Sequence, residues 1–251
     1  MKRKEAKPLE AKLPPDHEFA ELTAEAYQVF ACEKPTDTGV CKQCCMEPEI
    51  EAVFFAPAIE NLPLRHLEEW YFALPDEEFD QHIWRYLLPR ILEVLATGRA
   101  LAGFGIELSL NRFPTGVYEN WSKEEWDVLN RFQKGFLRRA LVAKQRPFDD
   151  VLCMFGLAGW PQEGLFEQVL NFSPHALAER LWKDWCRIPK PRVSVSVFWE
   201  EEARREAKAF YRSKELFQKM SDLACDNQTP LELAERALAV ANVIETETKW
   251  Y

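Results

Sequence analysis

Apolar positions recur at three- and four-residue steps along most of the chain, the spacing of helices with one buried face. Phe19, Leu22, Ala26, Val29 and Phe30 predict a first helix from about Asp16 to Ala31. Two short helices are expected at 47–58 and 64–74, broken by Pro57 and Pro63, with a longer one near 76–97. In that longer helix Phe79, Ile83, Tyr86, Leu87, Ile91, Leu92 and Leu95 form the apolar face, and Pro89 should kink or split it. Residues 98–121 hold Gly98, Gly103, Gly105, Pro114 and Gly116 and read as a connector, with a short strand or helix at 106–111. Ser122 and Glu125 form a Ser-x-x-Glu capping box that opens a helix to about Lys144.

Further helices are expected near 148–158, 163–171 and 174–187, the last with Ser173 as N-cap and Pro174 at its first position. Alternating Val193-Ser194-Val195-Ser196-Val197, after Pro189 and Pro191, predicts an extended stretch before a charged helix at about 200–226. Thr229, Pro230 and Glu232 then start a final helix through Ile244. The expected fold is mainly α: a single multi-helix, bundle-like domain of nine or ten helices over 16–251, preceded by an extended tail at 1–15. That tail contains Lys2, Arg3, Lys4, Lys7 and Lys12 against Glu5 and Glu10, with three prolines and little to bury, so it should be solvated.

Composition sharpens this picture. With 47% hydrophobic and 13% aromatic residues, the 251-residue chain can bury a large core. A formal charge of −9 argues against nucleic acid or an anionic membrane as partner and favours a basic protein. No run reaches the roughly 18–20 apolar residues of a spanning helix, and no apolar segment follows the N-terminal charges. A cytoplasmic location is therefore expected, a reducing setting in which cysteines serve as metal ligands or small buried hydrophobes.

The seven cysteines are unevenly placed. Cys41-x-x-Cys44-Cys45 puts three thiols at i, i+3 and i+4, so on a helical run they would converge on one centre. Thiolates bind zinc and iron–sulfur clusters, usually four at a time, and the tandem pair suits a four-iron cluster better than one tetrahedral zinc. Cys153 is the first candidate for the fourth ligand and Cys32 the second, with Cys186, Cys225 and His66 behind them. For Cys186 and Cys225 simple burial is the expected role. No phosphate loop, dinucleotide fingerprint, nucleophile elbow or His-Glu-x-x-His motif is present, and no catalytic residue is assigned.

Three stretches carry a resemblance: Val40-Cys41-Lys42-Gln43-Cys44-Cys45-Met46, Leu62-Pro63 heading a helix, and Tyr86-Leu87-Leu88-Pro89-Arg90-Ile91-Leu92-Glu93. Over roughly residues 17–185 the chain resembles a bacterial family, some of whose members are immunity proteins paired with Rhs-type antibacterial toxins bearing an ADP-ribosyltransferase domain. The resemblance implies a non-enzymatic inhibitor with a thiolate-ligated 4Fe-4S cluster, acting by occlusion of the toxin's NAD-binding pocket. In that role Lys2, Arg3, Lys4, Lys7 and Lys12 would form an extended basic segment able to enter the pocket, with residues 98–121 as the competing element. A zinc- or cluster-containing adaptor with a different protein partner is the alternative, and a redox enzyme using the cluster is a third.

Overall fold

The computed structural model describes residues 10–40, 46–74, 80–101, 103, 105–143 and 145–248. The chain is mainly helical, with eleven α-helices and no strand among these residues. They are α1 Ala20–Val29, α2 Pro48–Val53, α3 Leu64–Ala73, α4 Gln81–Ala96, α5 Lys123–Val142, α6 Phe148–Leu157, α7 Gln162–Leu170, α8 Pro174–Leu181, α9 Glu201–Tyr211, α10 Lys214–Cys225 and α11 Leu231–Thr248. Contacts divide the chain into two compact units, Met1–Phe132 and Gln133–Tyr251.

The first unit is built around α4, which is buried without a break from Tyr86 to Ala96. Asp80 starts it by accepting the His82 backbone N–H at 2.8 Å. The helix runs through Pro89 without splitting, because packing on every side holds a helix that has lost one N–H. It ends at Gly98, whose φ of 86° supplies the left-handed turn that closes a helix C-terminus. Around α4 lies an aromatic core: Trp70 and Trp84 have centroids 6.2 Å apart, Trp84 stacks on Phe113, and Phe113 and Phe30 both meet Trp121 edge-on at 5.6 Å. Each of the three buried indoles donates its N–H, Trp70 to Thr38 O, Trp84 to Thr115 Oγ1 and Trp121 to Thr115 O. The connector holds single 3-10 turns at Ile106–Leu108 and Tyr118–Asn120.

The capping box forms as the spacing requires, Ser122 N–H to Glu125 Oε2 at 2.8 Å and Glu125 N–H to Ser122 Oγ at 3.2 Å. Glu125 gives its other oxygen to Arg85 at 2.5 Å, tying the start of α5 to α4.

In the second unit α8 continues into one wider turn of π geometry at Trp182–Cys186, where Arg180 and Asp184 form a buried ion pair. Ser173 occupies the N-cap position of α8, but its hydroxyl accepts no backbone N–H of the helix. The extended stretch near 193–197 exists without a partner strand. Carboxylates take its donors instead: Val193 N–H bonds Glu247 at 2.7 Å and Ser196 N–H bonds the buried Asp149 at 2.5 Å. The single charged helix expected at 200–226 is two helices, because Ser213 caps α10 by accepting Leu216 N–H at 3.2 Å. Burial also differs from expectation for two cysteines, since Cys225 is exposed and Cys186 half-buried.

Candidate functional site

Cys41, Cys44 and Cys45, and likewise Lys2, Arg3, Lys4 and Lys7, lie outside the described residues. The chain on both sides of the cysteine trio is held against α3. Before it, Gly39 turns at φ 68° with its N–H on Asp37 Oδ1 at 2.7 Å, and Val40 is buried. Thr38 accepts the Trp70 indole N–H through its carbonyl at 2.9 Å and donates its hydroxyl to Glu51 at 3.2 Å. After the trio, Glu47 stands at the N-cap position of α2 and its carboxylate receives a two-pronged contact from Arg65 at 2.8 and 2.9 Å. Arg65 and Trp70 stand on the same ten-residue helix, so α3 grips both flanks.

The other sulfurs occupy different settings. Cys153 is fully buried in α6, within the second unit. Cys32 follows α1 in the first unit and is half-buried, and desolvation pushes its thiol above the ordinary value against the opposing pull of Arg85. His66, the weakest of the ligand candidates, stands one turn before Trp70 on α3. Its Nδ1 is buried with no hydrogen-bond partner among the described residues. Among those residues no group of three or more His, Cys, Asp or Glu side chains is arranged to hold a metal.

Lys12 is exposed but docked rather than part of a free tail. Its ammonium contacts the Glu60 carbonyl and lies 3.2 Å from Glu93 Oε2. Residues 10–13 form a strap across α4 built on the fully buried Arg90. That guanidinium donates from Nε to Leu62 O at 3.1 Å, from Nη1 to Ala11 O at 2.9 Å and Glu93 Oε2 at 2.6 Å, and from Nη2 to Glu10 O. Glu93 also accepts the Tyr27 hydroxyl at 2.8 Å and the Leu13 N–H at 3.5 Å, while Glu10 accepts the Leu64 N–H at 3.2 Å. Burial and the facing Glu93 carboxylate push the Tyr27 phenol well up from its ordinary value. Ala11 sits at φ 47°, a left-handed conformation unusual for a residue with a side chain, and is buried. The expected tail is thus shorter than 1–15, because the carbonyls of Glu10 and Ala11 take donors of the buried Arg90 that its α4 neighbour Glu93 does not take.

Arg90 and Glu93 are the charged members of the Leu-Pro-Arg-Ile-Leu-Glu stretch. Periodicity placed that stretch on a helix but could not show that its charges face inward. Two charges three apart on an otherwise apolar face were the available signal. No helix among the described residues is long and apolar enough to cross a membrane. No family model, curated protein or solved structure matches the chain.

Proposed function

We propose that this is an immunity protein that binds a cognate antibacterial ADP-ribosyltransferase toxin and occludes its NAD-binding pocket. A 4Fe-4S cluster on Cys41, Cys44, Cys45 and a fourth cysteine, Cys153 or Cys32, serves a structural role. The observation that carries the reading is the strap. Arg90 and Glu93, which belong to the stretch bearing the family resemblance, fix the chain at Glu10, the point from which Lys7, Lys4, Arg3 and Lys2 lead off. A transferase that uses NAD offers a carboxylate in a pocket shaped for a dinucleotide, and a short cationic segment leading from a fixed point complements its charge. The acidic composition of the remaining chain would speed association with a basic toxin, an effect that salt weakens.

The cluster reading rests on the thiol trio and its anchored flanks. A bound cluster would supply a thiolate cross-link within the fold. Zinc on the same thiols is the alternative.

The test is inhibition of NAD-dependent modification by a candidate toxin domain, titrated with the full-length protein. Deleting residues 1–9 leaves the strap in place and so separates the basic segment from the fold. Inhibition should weaken strongly in the deletion, and unchanged inhibition would exclude tail insertion. Failure of the intact protein to bind any ADP-ribosyltransferase domain after anaerobic co-expression would refute the immunity reading itself. Anaerobic preparations should show the broad visible absorption of an iron–sulfur centre, lost on replacing Cys41, Cys44 and Cys45 by serine. A colourless protein with stoichiometric zinc would replace the cluster by zinc.

A further inference from the structure

We infer that the second unit binds a small organic phosphate monoester, with its apolar body seated, in the cavity between α5, α7 and α8. This site is independent of the immunity reading. The cavity measures about 460 Å³, within the range that holds small ligands. Lys134 and Arg138 line it from α5, four residues apart and therefore on one helix face. Neither makes an ion pair or hydrogen bond with any described residue, whereas Arg131, Arg180, Arg212 and Arg236 are all matched by carboxylates. Two unmatched cations converging on one hollow of an acidic protein leave a local positive potential that a dianion would neutralise.

The opposite wall supplies donors. Ser173 lines the cavity with a hydroxyl not used for capping, and the N–H groups of His175 and Ala176, at the start of the eight-residue α8, have no acceptor among the described residues. Gln168 is held in place by the fully buried Gln133, Nε2 to Oε1 at 3.1 Å, and turns its own amide N–H to Gly164 O at 3.2 Å. An arginine, a lysine and the unused backbone N–H groups at a helix start form the donor set that phosphate oxygens take. Apart from Asn171, the rest of the lining is apolar. Leu141, Phe172 and the 72% exposed Val142 offer a surface that inorganic phosphate would leave unused. Cations and hydrocarbon lining one cavity select an ester over the free ion.

Calorimetric titration of the full-length protein with phenyl phosphate, inorganic phosphate and benzoate tests this. Phenyl phosphate should bind saturably and most tightly of the three. The double variant Lys134→Ala/Arg138→Ala, both exposed positions, should weaken it by about tenfold or more, the loss expected for one charge-assisted contact, with thermal unfolding unchanged. Val142→Ser should weaken phenyl phosphate and leave inorganic phosphate as it was. Removing the same charge elsewhere, by Lys190→Ala/Lys208→Ala, should change neither. Tighter binding of benzoate would replace the phosphate monoester by a carboxylate and overturn the assignment. Absent binding to the wild type, or equal weakening by the remote pair, overturns the site.

Discussion

Replacing Arg90 with methionine keeps most of the buried stem volume and removes every donor of the guanidinium. The carbonyls of Glu10, Ala11 and Leu62 and the Glu93 carboxylate each lose a partner. If all of them stayed where they are, the penalty would be about 3–5 kcal/mol, the usual result of breaking one side of a buried pair. The strap offers a less costly response. Of residues 10–13 only Ala11 is fully buried, so detachment exposes little apolar surface, rehydrates Lys12 and Glu93, and releases a left-handed alanine that stores roughly 1 kcal/mol or more. Global destabilisation should therefore be held to about 1–2 kcal/mol, a shift of roughly 2–8 °C in the unfolding midpoint for a chain of this size.

The larger effect should be local. Limited trypsin digestion read by intact mass gives the rate of cleavage after Lys12, which the strap holds down in the wild type. That rate should rise at least tenfold in Arg90→Met, while cleavage within α5 and α9 stays unchanged. Hydrogen exchange at the Leu13 amide, bonded to Glu93, should accelerate in parallel. Wild-type protein cut after Lys12 as fast as the variant would mean that the strap is not docked. A loss of 3–5 kcal/mol with Lys12 still protected would mean that the strap cannot detach.

Other outcomes follow from the packing and the titrating groups. Alanine at Gly156 would place its Cβ 2.5 Å from Trp199 Cη2 and closer still to Cζ3, against an indole pinned by its N–H to Asp149 at 2.9 Å; overpacking of this kind costs about 1–3 kcal/mol and outweighs the roughly 1 kcal/mol gain in helix propensity, so the midpoint should fall, and an unchanged or raised midpoint would refute the contact. Burial holds the phenols of Tyr27, Tyr71 and Tyr211 protonated above the ordinary value; their contribution is complete below about pH 10, the unfolded value, and is lost as pH rises from there, so in an absorbance titration the last phenolates, those of these three, should appear together with loss of helix, and replacing the three by phenylalanine should remove that late phase. Desolvation pushes the Cys186 thiol up to about 11, so at pH 8 a maleimide should label exposed Cys225 well ahead of Cys186, and equal rates would contradict the burial.

Much of the helix plan was legible because it rests on local signals. The Ser122–Glu125 box, Pro174 at a first helical position and the Thr229-Pro230-Glu232 start each act within one turn of chain, and each marks a helix beginning in the structure. Where local signals competed, tertiary context decided. Pro89 reads as a break but lies in a helix whose burial keeps it whole, and Ser213 sits in a charged run that looks continuous until its hydroxyl turns back as a cap. The strap was not legible at all. Lys12 and Glu10 read as solvated charges because their partners Arg90, Glu93 and Leu64 lie more than fifty residues away in sequence. The cysteine spacing gave reason to expect a ligand set, but no sign that Trp70 and Arg65 would hold its flanks.

The same contacts change what the motif can be asked to report. Arg90 and Glu93 are buried and spend their hydrogen bonds within the chain, on each other, on backbone carbonyls and on Tyr27 and Lys12, so they face no partner directly. A stretch of this kind marks the fold and the seating of the strap, and two proteins sharing it need not share a target. On the proposed reading, choice of toxin lies in the segment 1–9, while Lys134 with Arg138 serves the separate small-ligand site of the second unit. Exchanging residues 1–9 between two proteins with the same Arg-x-x-Glu pair should therefore exchange their toxins and leave their stabilities alone. Exchanging the helix that carries the pair should alter stability and strap protection without altering the target. If the helix exchange moves specificity instead, the buried pair acts on the partner through the strap, and the division between scaffold and recognition drawn from burial is wrong.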